Sequence, residues 1–381
     1  MRKTFLNCLV VAAWLTGGAF ETIRAATAVP VPPGFSQPLV AAFNNNYRGP
    51  VEENIPLALA DPRNTDKYVF ALIERATGRL DIAFFDILDI PAVEAIIRAH
   101  RRGVAVRVLT DTDTLRDKDD PTKPRQATRR LQRAGVPLRD DRRGAFMHHK
   151  FIIADGGAVW LGSMNLTPTS MYEHNNNGLI IRSRRVAANF QAEFDRLFEE
   201  GQFSGPREPV PFPKTPIGGA MVRTLFSPQG GIRNALLEEI SQAQESIRIL
   251  AFVFTEPTLA EAILERHRAG VKVEAVFDDC LIDSRSQYYT FRTAGIRARR
   301  DGNQALMHHK VIIIDEETVI TGSYNFTAAA ELYNNEGIVI VYSERIGAEY
   351  TEEFQRLMDA TYKNRNLPVY HHPACRRGMR E

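Results

Sequence analysis

Apolar residues recur along this chain in two rhythms, and the order of the rhythms occurs twice. Residues 65–77 and 231–243 have helical patterning, and each stretch runs into an apolar strand-like segment, 80–85 and 247–254. Residues 91–102 and 257–269 then place apolar side chains at three- and four-residue spacing, the period of an amphipathic helix. A glycine closes each, as expected just past a helix end. β-branched strands follow at 104–109 and 271–277. Strands alternating with helices predict an α/β fold. The expected architecture is two similar halves, each a mostly parallel or mixed sheet flanked by helices, related by a pseudo-twofold axis.

The repetition extends to residue identities. EAIIRAHRRGVAVRVLTDTD (94–113) parallels EAILERHRAGVKVEAVFDDC (261–280), and RAGV (133–136) parallels TAGI (293–296). MHHKFIIADGGAVWLGSMN (147–165) parallels MHHKVIIIDEETVITGSYN (307–325), with the histidines 160 positions apart. Within this last pair the apolar letters drift while His, Lys, Asp, Gly, Ser and Asn keep their offsets. Repeated packing alone would do the reverse, so the pattern points to chemistry.

Segments rich in Pro, Asn and Gly divide the chain. The reading is a linker over 29–50, a first half over 51–204, a Pro-rich linker over 205–219, a second half over 220–365 and a tail over 366–381. Residues 1–28 read as a secretory signal peptide: Arg2 and Lys3, an apolar run from Phe5 to Phe20, then Ala26-Thr27-Ala28 as a cleavage site. That run is short of the roughly 20 apolar residues a membrane span needs. A secreted or periplasmic protein is expected.

Removing residues 1–28 lowers Lys+Arg from 48 to 45 and Asp+Glu from 46 to 45, leaving no net charge. Attraction to a polyanion must therefore be local. Two cysteines remain, Cys280 and Cys375. Export would allow them to pair and tie the tail to the second half.

The motif reads as a hairpin. His148 and Lys150 are two apart on a strand-like run and leave the same face. Asp155-Gly156-Gly157 is a turn signal, and the returning strand brings Ser163 and Asn165 back beside them. His308, Lys310, Asp315, Ser323 and Asn325 repeat the arrangement. Two juxtaposed copies would give two ammonium groups and several neutral donors around a phosphate. Two imidazoles would offer a nucleophile and a general acid. No cofactor or metal is required, because the lysines can neutralise charge on the phosphoryl oxygens. The four imidazoles of His148, His149, His308 and His309 suggest a metal site instead, but Lys150 and Lys310 would repel a divalent cation. By strand parity, His149 and His309 should support the wall from behind.

His-x-Lys, four residues, Asp, six residues, Gly-Ser-x-Asn is the signature of the phospholipase D superfamily, which this chain resembles from Val51 to about Asn364. The resemblance implies one site made from both motifs. One histidine becomes a phosphohistidine, and the other protonates the leaving group and then activates water. Asp155 and Asp315 would be structural. Members often carry a carboxylate after Gly-Ser-x-Asn that orients the imidazole. Here LYNNEGIVI supplies Glu336, whereas YEHNNNGLII has Asn177 before Gly178, or Glu173 earlier. A carboxylate keeps a histidine protonated. The expectation is thus His308, held by Glu336, as general acid, and His148, near Asn177, as nucleophile.

Arg139, Arg142 and Arg143 precede the first motif, and Arg297, Arg299 and Arg300 the second, with Arg129, Arg130 and Arg133 further upstream. Of these, Arg142, Arg143, Arg299 and Arg300 are the candidate substrate contacts, suited to tracking a phosphate backbone. Solvated surface arginine is the plainer meaning of such runs, and anionic lipid would attract them as well. Nucleic acid is the expected substrate, with a phospholipid headgroup as the alternative. A non-catalytic phosphate-binding scaffold fits less well, because neither copy has lost its His or Lys. A duplicated chain needs no second copy to complete its site, so a monomer without an obligatory protein partner is expected.

Overall fold

The computed structural model describes residues 30–45 and 51–363, apart from 118, 119, 121, 143 and 304. The signal-peptide reading, the tail and Cys375 lie outside them. Cys280 is disulfide-bonded.

Each half is built on one sheet. The first contains β1 (Leu39–Phe43), β2 (Arg79–Phe84), β3 (Ala105–Thr110), β4 (Leu138–Asp140), β5 (Lys150–Ala154), β6 (Ala158–Gly162) and β7 (Asn177–Arg182). Its strand order is β1-β7-β6-β5-β2-β3-β4. The second contains β8 (Lys214–Ile217), β9 (Ala220–Ser227), β10 (Ser246–Ala251), β11 (Lys272–Phe277), β12 (Arg297–Arg300), β13 (Lys310–Ile314), β14 (Thr318–Gly322) and β15 (Glu336–Tyr342). Its order is β12-β11-β10-β13-β14-β15-β9-β8. Among the described strands, only β2-β3-β4 and β10-β11-β12 form parallel ladders, and the remaining ladders are antiparallel. The sheets are therefore mixed. The motif hairpins, β5-β6 and β13-β14, supply the antiparallel centre.

Two expected linkers contain strand. Leu39–Phe43, inside 29–50, is an edge strand paired with β7. Lys214–Ile217, inside 205–219, pairs with β9. Pro216 is tolerated there because an edge strand leaves one side of its backbone unpaired.

Side-chain parity sorts the cores. On β5, Ile152 and Ala154 pack outward against the helices Thr65–Arg75 and Ile90–Arg101. Phe151 and Ile153 face the other way. The second half repeats this: Ile312 and Ile314 lie with the helices Ile232–Gln242 and Pro257–Arg268, and Val311 and Ile313 face the other way. Between the sheets lies one shared core. It includes Phe190 and Phe194 of the helix Arg184–Phe198, and Tyr350 and Phe354 of the helix Glu344–Lys363. The layers run helix, sheet, helix, sheet, helix, so the two halves bury apolar surface against each other as a domain interior does.

The motif glycines have a steric cause. A Cβ on Gly162 would lie 2.1 Å from the Asn177 carbonyl oxygen, and one on Gly322 equally close to that of Gly337. The obstacle is backbone on the neighbouring strand, which cannot rotate away. Gly162→Ala should destabilise by about 2 kcal/mol and lower the melting temperature by several degrees. An unchanged melting temperature in calorimetry would show that the strands can part at this point.

Candidate active site

The halves meet through the backbone flanking the motif histidines, His148 and His308. His148 N–H donates to Asn335 O at 2.9 Å, and His308 N–H donates to Asn175 O at 2.9 Å. Asn335 N–H returns to Phe146 O at 2.8 Å, and Asn175 N–H to Leu306 O at 2.9 Å. Each histidine is thereby fixed to the Asn-rich segment of the opposite half.

Side chains cross the same boundary. Glu336 Oε2 lies 2.8 Å from His148 Nδ1, and Asn176 Oδ1 lies 2.9 Å from His308 Nδ1. This corrects the expected pairing: Glu336 serves His148, not His308. The amide at His308 comes from Asn176, which lies 160 positions before Glu336. Asn177 stands behind the wall. Its Oδ1 is 3.0 Å from His309 Nδ1, and its amide nitrogen donates to Thr321 Oγ1 and to the Tyr350 hydroxyl at 2.7 and 2.9 Å.

The serines hold these partners in place. Ser323 Oγ donates to Glu336 Oε2 at 2.6 Å and accepts from Gly337 N–H at 3.1 Å. Ser163 Oγ donates to Asn176 Oδ1 at 2.9 Å and accepts from Asn177 N–H at 3.1 Å. Because Asn176 Oδ1 accepts, His308 Nδ1 must donate to it, which leaves Nε2 as the chemically active nitrogen.

Lys150 and Lys310 are each 2% exposed. Each donates from Nζ to the backbone oxygen of its own motif histidine at 3.0 Å. Lys150 also lies over the Phe85 ring at 5.2 Å, and Lys310 over Phe252 at 4.3 Å. Aromatic faces stabilise these ammonium groups where water is scarce. Asn165 and Asn325 are buried, and their amide oxygens have no hydrogen-bond partner among the described residues.

The motif aspartates tie the hairpin turns to the start of the first parallel strand. Asp155 accepts from Thr77, Gly78 and Arg79 N–H, and Asp315 from Gln244, Glu245 and Ser246 N–H. Burial alone would raise the Asp155 carboxyl, but the backbone donors outweigh it and hold the group below its ordinary range. His149 and His309 turn away from the site, as parity predicts. Their Nε2 atoms lie 3.1 Å from Glu193 and Glu353 on the central helices. Burial pushes the His309 imidazole down despite Glu353. These pairings draw both rings away from any four-histidine cluster.

The candidate substrate arginines divide. Arg142 has an 86% exposed side chain on the loop leading into the first motif. Arg300 is paired to Asp279 at 2.7 Å, and Arg299 is half-buried in β12. Arg143 lies outside the described residues. Further upstream or on β12, Arg130 and Arg297 are bonded to Glu94 and Glu274.

Sequence reasoning missed one symmetric pair. Asp111 Oδ2 accepts Met147 N–H, and Asp278 Oδ2 accepts Met307 N–H, both at 2.8 Å. Each carboxyl group thus anchors the residue preceding a motif histidine. The signal was present, since both aspartates occupy the same place in the longer repeat (94–113 and 261–280).

The chain belongs to the family described as cardiolipin synthase, PLD-like domain, which matches residues 69–198 and 236–358. It is 39% identical over 123 residues to a mitochondrial cardiolipin hydrolase of Xenopus tropicalis, covering 32% of this chain and 59% of that protein. It is 31% identical over 134 residues to a phospholipase D of Rickettsia typhi, covering 35% and 66%. The chain thus spans less than two thirds of the length of these curated relatives. Among solved structures, the phosphatidylserine synthase of Haemophilus influenzae matches with a TM-score of 0.61 at 12% identity, covering 86% of this chain and 89% of that one. This last likeness establishes the two-half fold.

Burial, with the charge of Asp141 added, pushes the Asp111 carboxyl up to about 7. The folded chain therefore keeps a proton that the unfolded chain releases at roughly pH 4. The contribution of this group to stability is fully present below that value and is lost as pH rises from roughly 4 to 7. Asp111→Asn retains an oxygen for Met147 N–H and removes the titration. In urea unfolding, the variant should lose less stability than the wild type between pH 5 and pH 8. Identical losses would show that this carboxyl does not titrate there.

Proposed function

We propose that this protein is a phosphodiesterase working through a phosphohistidine, with nucleic acid as its substrate. The observation that carries the chemistry is the 2.8 Å contact between Glu336 and His148 across the halves.

His148 is the nucleophile in this reading. Its Nδ1–H donates to Glu336, so Nε2 presents a lone pair to phosphorus. Attack forms a P–N bond and leaves positive charge on the imidazole. A carboxylate beside the ring stabilises that charge as it develops, as in other carboxylate–histidine pairs. His308 is the general acid. Asn176 fixes its Nδ1–H without holding a charge against it, so the Nε2 proton passes to the leaving oxygen as the P–O bond breaks. His308 then takes a proton from water, the oxygen attacks phosphorus, and the P–N bond breaks to release a phosphomonoester. Lys150 and Lys310 balance charge on the phosphoryl oxygens, with Asn165 and Asn325 as neutral donors. The roles first expected for the two histidines are kept, on the opposite partners.

For the substrate, the support is the rim. Arg142 has an 86% exposed side chain, and Tyr333 is 59% exposed. The segment holding Tyr333 bonds the Arg142 loop through Asn334 Oδ1, which accepts Phe146 N–H at 3.2 Å. An exposed cation and an exposed aromatic ring on two bonded segments suit a single strand, whose phosphates and bases alternate. A second reading, phospholipid headgroup hydrolysis, is favoured by the names of the curated relatives.

Two measurements test this. The purified protein should cleave single-stranded DNA in excess EDTA, and His148→Ala should abolish cleavage. Failure of the folded wild type on DNA, with release of phosphatidate from cardiolipin vesicles, would select the lipid reading. Separately, a trapped phosphoenzyme should carry its phosphate on His148, and Glu336→Gln should lower kcat by about 100-fold or more. Phosphate recovered on His308 would reverse the roles.

A further inference from the structure

The half-sites differ at a second position close to the chemistry. His174 lies between the helix Pro168–Tyr172 and β7, and its ring centroid is 6.0 Å from that of His308. It is only 8% exposed. The position 160 residues on is Asn334, which spends its Oδ1 on the Phe146 N–H of the other half. One half has a strut where the other has an imidazole.

The rings around the two catalytic histidines differ accordingly. His148 has Phe85 at 5.1 Å and Phe146 at 6.3 Å. His308 has Phe252 at 4.5 Å and His174 at 6.0 Å. The residue matching Phe146 is Leu306, so a second apolar ring at His148 gives way to a titratable one at His308. Other charged groups lie on the adjoining segments. Glu173 precedes His174, and the Lys310 ammonium is bonded to His308 O. From the loop before β13, Asp301 accepts Asn303 N–H at 3.3 Å, and Asn303 bonds Asn175 Oδ1.

We propose that His174 is a positioning residue for the proton on His308: a second imidazole on the leaving-group side whose positive charge loosens His308's hold on that proton. The inference rests on His308 being the general acid. Two imidazolium rings at this distance, in a buried corner that already holds an ammonium group, disfavour each other. Transfer to the leaving oxygen relieves that repulsion, while the charge left on His174 still faces the phosphoryl group. His148 needs the opposite influence, and Glu336 supplies it.

The test uses His174→Asn, which installs the residue the second half already carries, and His174→Gln as a second variant. Thermal unfolding confirms that each is folded. The rate constant kcat/KM is measured across pH on aryl phosphodiesters with 4-nitrophenol and phenol as leaving groups. Both variants should move the alkaline limb to higher pH by about half a unit to one unit. Both should lose at least about 5-fold more rate on the phenyl diester, which needs the proton, than on the 4-nitrophenyl diester. An unmoved limb, with equal losses on both substrates, would make His174 a packing residue and overturn the proposal. His308→Ala is measured in parallel. If it too shows no leaving-group dependence, His308 is not the acid, and the assignment beneath the proposal fails with it.

Discussion

His148 N–H to Asn335 O and His308 N–H to Asn175 O, each 2.9 Å, are the bonds on which the rest of the site depends. They join the halves at the motif histidines themselves. Each sets the depth and direction of an imidazole ring before any side chain has chosen a partner. Glu336 and Asn176 follow the bonded residues directly, so the same two bonds deliver a carboxylate to one imidazole and an amide to the other. The shared apolar layer beneath, with Tyr350 and Phe354 against strands of both sheets, keeps the halves from sliding. Sliding by one residue would carry Glu336 away from His148 and place Gly337 there instead.

The site gathers charge that burial ought to disfavour. Lys150, Lys310 and Glu336 are all almost wholly excluded from water. An isolated buried charge is costly, and it persists when paired or solvated by dipoles. Here the ammonium groups have carbonyl oxygens and ring faces, and the carboxylate has His148 and the Ser323 hydroxyl. In the proposed mechanism an incoming phosphodiester would meet ammonium groups already stripped of water, which is where electrostatic stabilisation is strongest.

Much of this was legible in the sequence. Strand parity placed His148 with Lys150 on one face and His149 on the other, because a strand's two-residue period leaves no choice. The 160-residue offset shared by RAGV/TAGI and the two motif copies helped to expose the duplication, and the turn chemistry of Asp155-Gly156-Gly157 located the hairpin. What failed has physical causes. Aligning the Asn-rich segments on their glycines set Asn177 against Glu336, whereas the uninterrupted offset sets Asn176 there. The crossing of Glu336 to His148 is a contact between halves 188 residues apart in sequence, and no local periodicity records it. The edge strands at Leu39–Phe43 and Lys214–Ile217 were hidden by Pro-rich surroundings that resemble linker. Their pairing is decided by an exposed sheet edge rather than by their own propensity.

Asymmetry explains why both halves belong to one chain. A twofold pair of identical subunits would give both catalytic histidines the same partner, since an isologous interface repeats every contact. Joining the halves removes that constraint. Glu336 faces Asn176 across the axis, His174 faces Asn334, and the exposed Tyr333 faces the buried Glu173. All three differences fall within four consecutive positions of one segment, 173–176 against 333–336, while the histidines, lysines, serines and asparagines of the motif stay matched. In the proposed mechanism the shared residues would grip a phosphoryl group, which presents similar oxygens to both sides. The differing residues would act where the two sides are chemically unlike, with a nitrogen attacking on one and an oxygen departing on the other.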